Sequence, residues 1–164
     1  MLNAAEQLFP EVDFSKVLVW GNSRGGNTAL LMAVRDPRIN TVIAVAGPVD
    51  FYRESARVMY EDQYQCQFFD GKSEQESRDR MLASSPLFFG PNKNLAAVFL
   101  HHAAQDEVVP VWNTHKMAAH LESFSVDVRA IIYPVEGHGA IVVAEDFWNN
   151  MNAGIALFLD NIDD

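Results

Sequence analysis

The run Lys16-Val17-Leu18-Val19-Trp20-Gly21-Asn22-Ser23-Arg24-Gly25-Gly26 takes a short apolar strand straight into G-x-S-x-G and then into a helix, and no other segment constrains the fold of this chain as tightly. A serine held on a tight strand-to-helix turn, its hydroxyl pushed out of the sheet, has backbone close behind it on both sides. Only small residues fit there, hence Gly21 and Gly25. Such a turn also aims the first N–H groups of the following helix at the point where an oxyanion forms during acyl transfer, with the N–H of Arg24 as the first donor. Val17, Leu18 and Val19 suit a buried parallel strand. Asn27 to Val34, with Ala29, Leu30, Leu31, Met32 and Ala33, is rich in helix formers, and Asp36-Pro37 ends it. That context favours Ser23 as a nucleophile over an incidental serine in a glycine-rich turn.

A nucleophilic serine needs a base, and the base needs an orienting acid. Beyond a second strand at Thr41 to Ala46, Leu95 to His101 reads as another buried strand, and Asp106 sits on the loop just beyond it. Asp127 to Tyr133 reads as the last strand, and Pro134-Val135-Glu136-Gly137-His138-Gly139 places His138 on a glycine-flanked loop. Active sites of open parallel sheets gather outside the carboxyl ends of the strands, and all three candidates lie there. Their order is Ser, Asp, His. Glu136, two residues before His138, reads as a surface charge, whereas Asp106 has the strand-end position an orienting acid needs.

The chain resembles the catalytic domain of the prolyl oligopeptidase family of serine peptidases, within the α/β-hydrolase fold. Gly21-Asn22-Ser23-Arg24-Gly25-Gly26 resembles the family's G-x-S-x-G-G, His102 to Pro110 its H-G-x-x-D-x-x-V-P, and Tyr133 to His138 its Y-P-x-x-x-H. The separations of 83 residues from Ser23 to Asp106 and 32 from Asp106 to His138 fit as well. Ala103 stands where the family has glycine, which is expected to tighten that turn and leave the chemistry alone. The resemblance implies a partial α/β-hydrolase: about four parallel strands flanked by helices, without the N-terminal strands of the full fold. Twenty-two residues precede Ser23, and the first of them, Met1 to Phe9, read as a helix end with Leu2, Ala5, Leu8 and Phe9 on one face, stopped by Pro10. In the full fold an earlier strand supplies a second oxyanion donor, and loss of one such donor costs about 10²–10³ in turnover. An unpartnered edge at Val17 to Trp20 also invites self-association or a partner chain.

At 164 residues the chain suits one α/β domain spanning 1–164, with a helical excursion near 51–90. The excursion reads as helices over Phe51 to Phe69 and Ser73 to Ala83, and in the resembling fold it lies over the active site. Phe51, Tyr52 and Tyr60 are candidates for a substrate pocket, with simple packing as the alternative reading of each. Asp50 reads as a cap for the next helix. With 12 Lys and Arg against 22 Asp and Glu, a formal charge of −10 disfavours nucleic acid or an anionic membrane as partner. No apolar run approaches a membrane span, and cytoplasmic localisation is the expectation. The lone Cys66 makes no internal disulfide and reads as a small apolar residue.

His101, His102, Asp106 and Glu107 are close in sequence, but neighbours on a strand face opposite ways and no metal-ligand spacing is present, so no metal and no cofactor is expected. His115 and His120 fall on a helix from Asn113 to Glu122 and read as solvated, with Met117, Ala118 and Leu121 turned to the core. The last helix, Ala140 to Leu159, should pack through Phe147, Met151, Ile155 and Leu159. The Arg24 side chain is expected to contact an acidic residue or a backbone carbonyl. The functional expectation is a serine hydrolase acting on peptides. Left open beside it are a carboxylesterase with the same three residues and a poorly active or non-catalytic fragment that pairs through its sheet edge.

Overall fold

The computed structural model describes residues 2–53, 64 and 67–160. Strands β1 (Val17–Asn22), β2 (Ile39–Val45), β3 (Ala97–Gln105) and β4 (Asp127–Glu136) form a sheet in the order β1-β2-β3-β4. Every pairing is parallel, so each connection must cross back over a face of the sheet. The helices described along the chain are α1 (Leu2–Leu8), α2 (Arg24–Arg35), α3 (Glu74–Ala83), α4 (Trp112–Glu122) and α5 (Phe147–Asp160). This is the partial α/β-hydrolase sheet expected from the sequence. None of the described helices is long and apolar enough to cross a membrane.

Side-chain alternation along the strands builds two cores. Val42, Ala44, Val98 and Leu100 pack with Ala29, Leu30 and Ala33 of α2 and with Met117, Ala118 and Leu121 of α4. Ile43, Val45, Ala97 and Phe99 pack on the opposite face with Tyr133, Ile141, Phe147 and Met151. Because β2 is covered on both faces, it reads as an unbroken apolar run from Val42 to Ala46. Ala103, expected in a turn, lies in β3 opposite Tyr133 and is fully buried. β1 pairs with β2 alone and forms the outer edge, where Trp20 is 57% exposed. At the other edge β4 carries Pro134, tolerated where a missing N–H breaks no ladder.

The terminal helices depart from expectation. In α1 Leu2 packs on the core, whereas Leu8 and the following Phe9 are exposed. The expected helix over 140–159 is interrupted: Ala140–Val143 is a 3₁₀ turn, and Asp146, at φ 65°, separates it from α5. A left-handed residue cannot continue an α-helix. Ile155 and Leu159 are exposed, and Gly154 makes the core contact in their place. A Cβ there would lie 3.2 Å from Ile43 and Phe99 side-chain atoms, so the helix backbone itself comes down on the sheet and Phe147, Met151 and Gly154 define the buried face.

In the excursion α3 begins at Ser73 with reciprocal bonds: the Glu76 N–H donates to Ser73 Oγ at 3.3 Å, and the Ser73 N–H donates to Glu76 Oε2 at 2.8 Å. Phe51 to Arg53 are bends, not helix. Asp50 Oδ1 accepts the N–H groups of Tyr52 and Arg53, each at 3.0 Å, and so holds this bend; the helix it was expected to cap falls outside the described residues. The rest of the first helix expected here falls largely on residues 54–63 and 65–66, which lie outside the described residues, as do Tyr60 and Cys66.

Candidate active site

Ser23 stands between β1 and α2 with φ 55° and ψ −118°, a conformation that L-residues adopt only under constraint. Two contacts impose it. The Ser23 N–H donates to the Val45 carbonyl at 2.7 Å, tying the turn to the end of β2, and the Ser23 carbonyl accepts the first helical bond of α2 from Asn27 at 3.1 Å. The N–H groups of Arg24, Gly25 and Gly26 precede that first bond and have no intrahelical acceptor. Asn27 then fastens α2 to the neighbouring loops, its Nδ2 donating to the carbonyls of Pro48 at 2.8 Å and Ser84 at 2.9 Å. The small residues do not share the steric demand equally. A Cβ on Gly21 would meet Gly25 backbone at 2.1 Å, while one on Gly25 would meet nothing within 4 Å. The expectation that Gly25 is there for lack of space is corrected; the other tight positions at this crossing are Gly26 and Gly47.

Asp106 is the first residue after β3, and its carboxylate is fully buried. Oδ1 accepts the N–H groups of Val108 at 2.9 Å and Val109 at 2.8 Å. Oδ2 accepts from His138 Nδ1 at 2.7 Å and lies 3.3 Å from His102 Nε2. Burial alone would push this carboxyl up, but the hydrogen bonds from His102, His138, Val109 and Val108 outweigh it and hold Asp106 well below the usual carboxylate range. Asp106 is therefore an anion at neutral pH and can only accept.

His138 follows Gly137, whose φ of 95° favours glycine and whose N–H donates to the Gln105 carbonyl at 2.9 Å, bringing the loop after β4 back onto the end of β3. Since Asp106 accepts at Nδ1, that nitrogen carries the proton and Nε2 is free to accept. Nε2 lies 2.8 Å from Ser23 Oγ. The hydrogen bond to Asp106 raises the His138 pKa, desolvation opposes the rise, and the charges of Asp106 and Glu107 add to it. Glu107 also accepts the His138 N–H through Oε2 at 3.2 Å, a contact not foreseen from the sequence. The three strand-end residues, 115 and 32 positions apart in their contacts, thus meet in one hydrogen-bonded line.

The remaining candidates settle elsewhere. The Arg24 guanidinium stacks over the Tyr64 ring at 4.8 Å, in place of the carboxylate or carbonyl expected for it. Phe51 is buried with Tyr64, Phe68, Met81 and Val109, so among the described residues it packs the excursion. Tyr52 is half exposed and borders a cavity of about 560 Å³ with Phe69, Lys72, Ser77, Arg78 and Met81. His101 faces Tyr133, with Nδ1 2.9 Å from its hydroxyl, while His102 faces the other way toward Thr114. No group of three or more His, Cys, Asp or Glu among the described residues is arranged to hold a metal ion. His115 is exposed, but His120 is not simply solvated: its Nε2 lies 2.9 Å from the Phe89 carbonyl. Glu136 is exposed.

Residues 2–161 match the model of the prolyl oligopeptidase family. No curated protein matches the chain significantly. Among solved structures, it aligns with a dipeptidyl peptidase 4 from Porphyromonas gingivalis at 22% identity and TM-score 0.71, covering 97% of this chain and 21% of that one. An acylaminoacyl peptidase from Pyrococcus horikoshii aligns at 18% identity and TM-score 0.65, over 86% of this chain and 23% of that one. A truncated carbohydrate esterase from gut microbiota aligns at 18% identity and TM-score 0.74, over 95% and 63%. At such identities the likeness is one of fold. The chain spans less than a quarter of the length of either peptidase.

Proposed function

Because this chain belongs to the prolyl oligopeptidase family, and so to the serine-type hydrolases, we propose that it cleaves peptide bonds with Ser23 as nucleophile, His138 as general base and acid, and Asp106 as the orienting carboxylate. The observation that carries the reading is the unbroken line from Ser23 Oγ through both ring nitrogens of His138 to a buried carboxylate, at 2.8 Å and 2.7 Å. In the acylation step Ser23 Oγ bonds to the substrate carbonyl carbon as its proton passes to His138 Nε2. Asp106 keeps the ring in the tautomer that can accept that proton, then stabilises the imidazolium. The N–H of Arg24 donates to the oxyanion. His138 next gives its proton to the leaving nitrogen as the carbon–nitrogen bond breaks. Water repeats the sequence to release the acyl group and restore Ser23.

Labelling with a fluorophosphonate, read by intact mass, tests the assignment. One adduct is expected on wild-type protein, none on Ser23→Ala, and greatly slowed labelling on His138→Ala. A Ser23→Ala variant that labels or hydrolyses like wild type would refute it, as would a folded wild-type chain that takes no label. The same three groups attack esters, so turnover of peptides against short-acyl esters separates the peptidase from the carboxylesterase reading. Peptide cleavage is the expected outcome.

A further inference from the structure

We infer that His102 is a positioning residue for this site, holding Asp106 and the turn behind it in the arrangement that meets His138. The inference rests on the proposed roles of Ser23, His138 and Asp106 and extends them by one residue.

The protonation of His102 follows from its neighbours. Its side chain is fully buried, and Nε2 lies 2.7 Å from the Val109 carbonyl, which can only accept. Nε2 therefore carries a proton. In the neutral ring Nδ1 then accepts, and the Thr114 hydroxyl, 2.7 Å away at the start of α4, is placed to donate to it. The Val109 carbonyl thus fixes the tautomer, and Thr114 satisfies the ring nitrogen left to accept. The Nε2–H is also 3.3 Å from Asp106 Oδ2, the same oxygen that takes the His138 proton, so one donor is shared between a backbone carbonyl and the carboxylate.

Val109 closes the arrangement. Its carbonyl is held by His102, and its N–H, with that of Val108, holds Asp106 Oδ1. The ring consequently acts on the carboxylate from two sides, directly at Oδ2 and through the turn at Oδ1. A residue fixed in β3 four positions earlier is rigidly placed to do this for the first residue beyond the strand. An apolar side chain would fill the same space without any of these contacts. Burial works against ionisation of Asp106, and the His102 contact acts beside those of His138, Val108 and Val109 to offset it.

Two substitutions separate positioning from packing. His102→Gln can still present an amide donor near the Nε2 position, and His102→Leu cannot. The first readout is the far-downfield proton resonance of His138 Nδ1–H, identified by its loss in His138→Ala, which reports the bond to Asp106 without turnover. The second is the pH dependence of fluorophosphonate labelling. His102→Leu should move or lose the resonance, slow labelling about 10²-fold as the acid shifts by an ångström or so, and carry the acid limb to lower pH. His102→Gln should restore most of all three. A folded His102→Leu with the resonance and limb at their wild-type positions would overturn the inference, as would equal losses in Leu and Gln with no movement of the limb. Should His102→Leu fail to fold, His102→Asn carries the test: its shorter amide can still meet Thr114 but cannot reach the Val109 carbonyl or Asp106, and an unmoved resonance and limb there would also refute positioning. A wild-type chain that shows the resonance but takes no label would defeat the proposed reaction while leaving the resonance test of His102 in force.

Discussion

Alanine at Gly21 and alanine at Gly25 are expected to have opposite outcomes, although both glycines belong to the same motif. A Cβ on Gly21 would lie 2.1 Å from the Gly25 carbonyl oxygen, 2.2 Å from its carbon and 2.8 Å from the Gly26 nitrogen. These are backbone atoms, so no rotamer change relieves the clash. Reaching even a 3.0 Å approach requires β1 and the start of α2 to part by about 0.9 Å. Ser23 lies between them with its N–H committed to Val45 at 2.7 Å, so the movement must strain or break that bond. Overpacking of a dense site costs 1–3 kcal/mol or somewhat more, and a rigid backbone clash belongs at the upper end, about 3 kcal/mol. For a chain of this size that lowers Tm by about 6–12 °C. Gly25 has nothing within 4 Å of its missing Cβ and a helical position, so alanine there should be neutral or stabilising by up to about 1 kcal/mol. Thermal unfolding by far-ultraviolet circular dichroism reads both variants. A Gly25→Ala as destabilised as Gly21→Ala, or a Gly21→Ala indistinguishable from wild type, would refute the steric argument.

The His101 ring is buried, its Nε2 has no hydrogen-bond partner among the described residues, and burial lowers its pKa to about 4. Between about pH 6.5 and about 4 the unfolded chain therefore takes up a proton that the folded one refuses, and stability falls as pH falls across that window, by up to roughly 3 kcal/mol. Denaturant unfolding at both ends should show this slope in wild type and a flatter one in His101→Phe; equal slopes would reject it. Glu107→Gln keeps an oxygen to accept the His138 N–H but removes a charge that raises the His138 pKa, so the acid limb of the labelling profile should move to lower pH. Because Glu107 is exposed, salt should shrink the shift, and a limb that stays in place at low ionic strength would contradict the assigned contribution.

Ser23, Asp106 and His138 were legible because each is marked by local chemistry: a strand that runs out, a turn that follows, a residue able to titrate or attack. Gly137 before His138 and the tight turn at Gly21 carry the same local signature, and parallel strands bring their carboxyl ends together without further information. The groups that brace the site have no such signature. Alternation along β3 was enough to separate His101 from His102, yet only the packing of α4 on that face shows that His102 meets Thr114, and only the curl of residues 106–109 shows that it meets Val109. Gly21 and Gly25 look equivalent in the motif, but the clash is set by how β1 crosses α2, and Gly26 owes its tightness to Val45 and Gly47 some twenty residues away. Arg24 was expected to meet an acid or a backbone carbonyl, but its neighbour is the Tyr64 ring, delivered by the excursion, which nothing near Arg24 in the chain announces. The same division explains the last helix: apolar spacing correctly marked Phe147 and Met151, but Gly154 lets the backbone descend onto Ile43 and Phe99, and that rotation turns Ile155 and Leu159 outward. The groups proposed to react, at strand ends, are written in short stretches of chain, whereas the residues that hold them are defined by pairings between elements; substitutions at His102 or Gly21 should therefore disturb the site as surely as changes to the residues that would react.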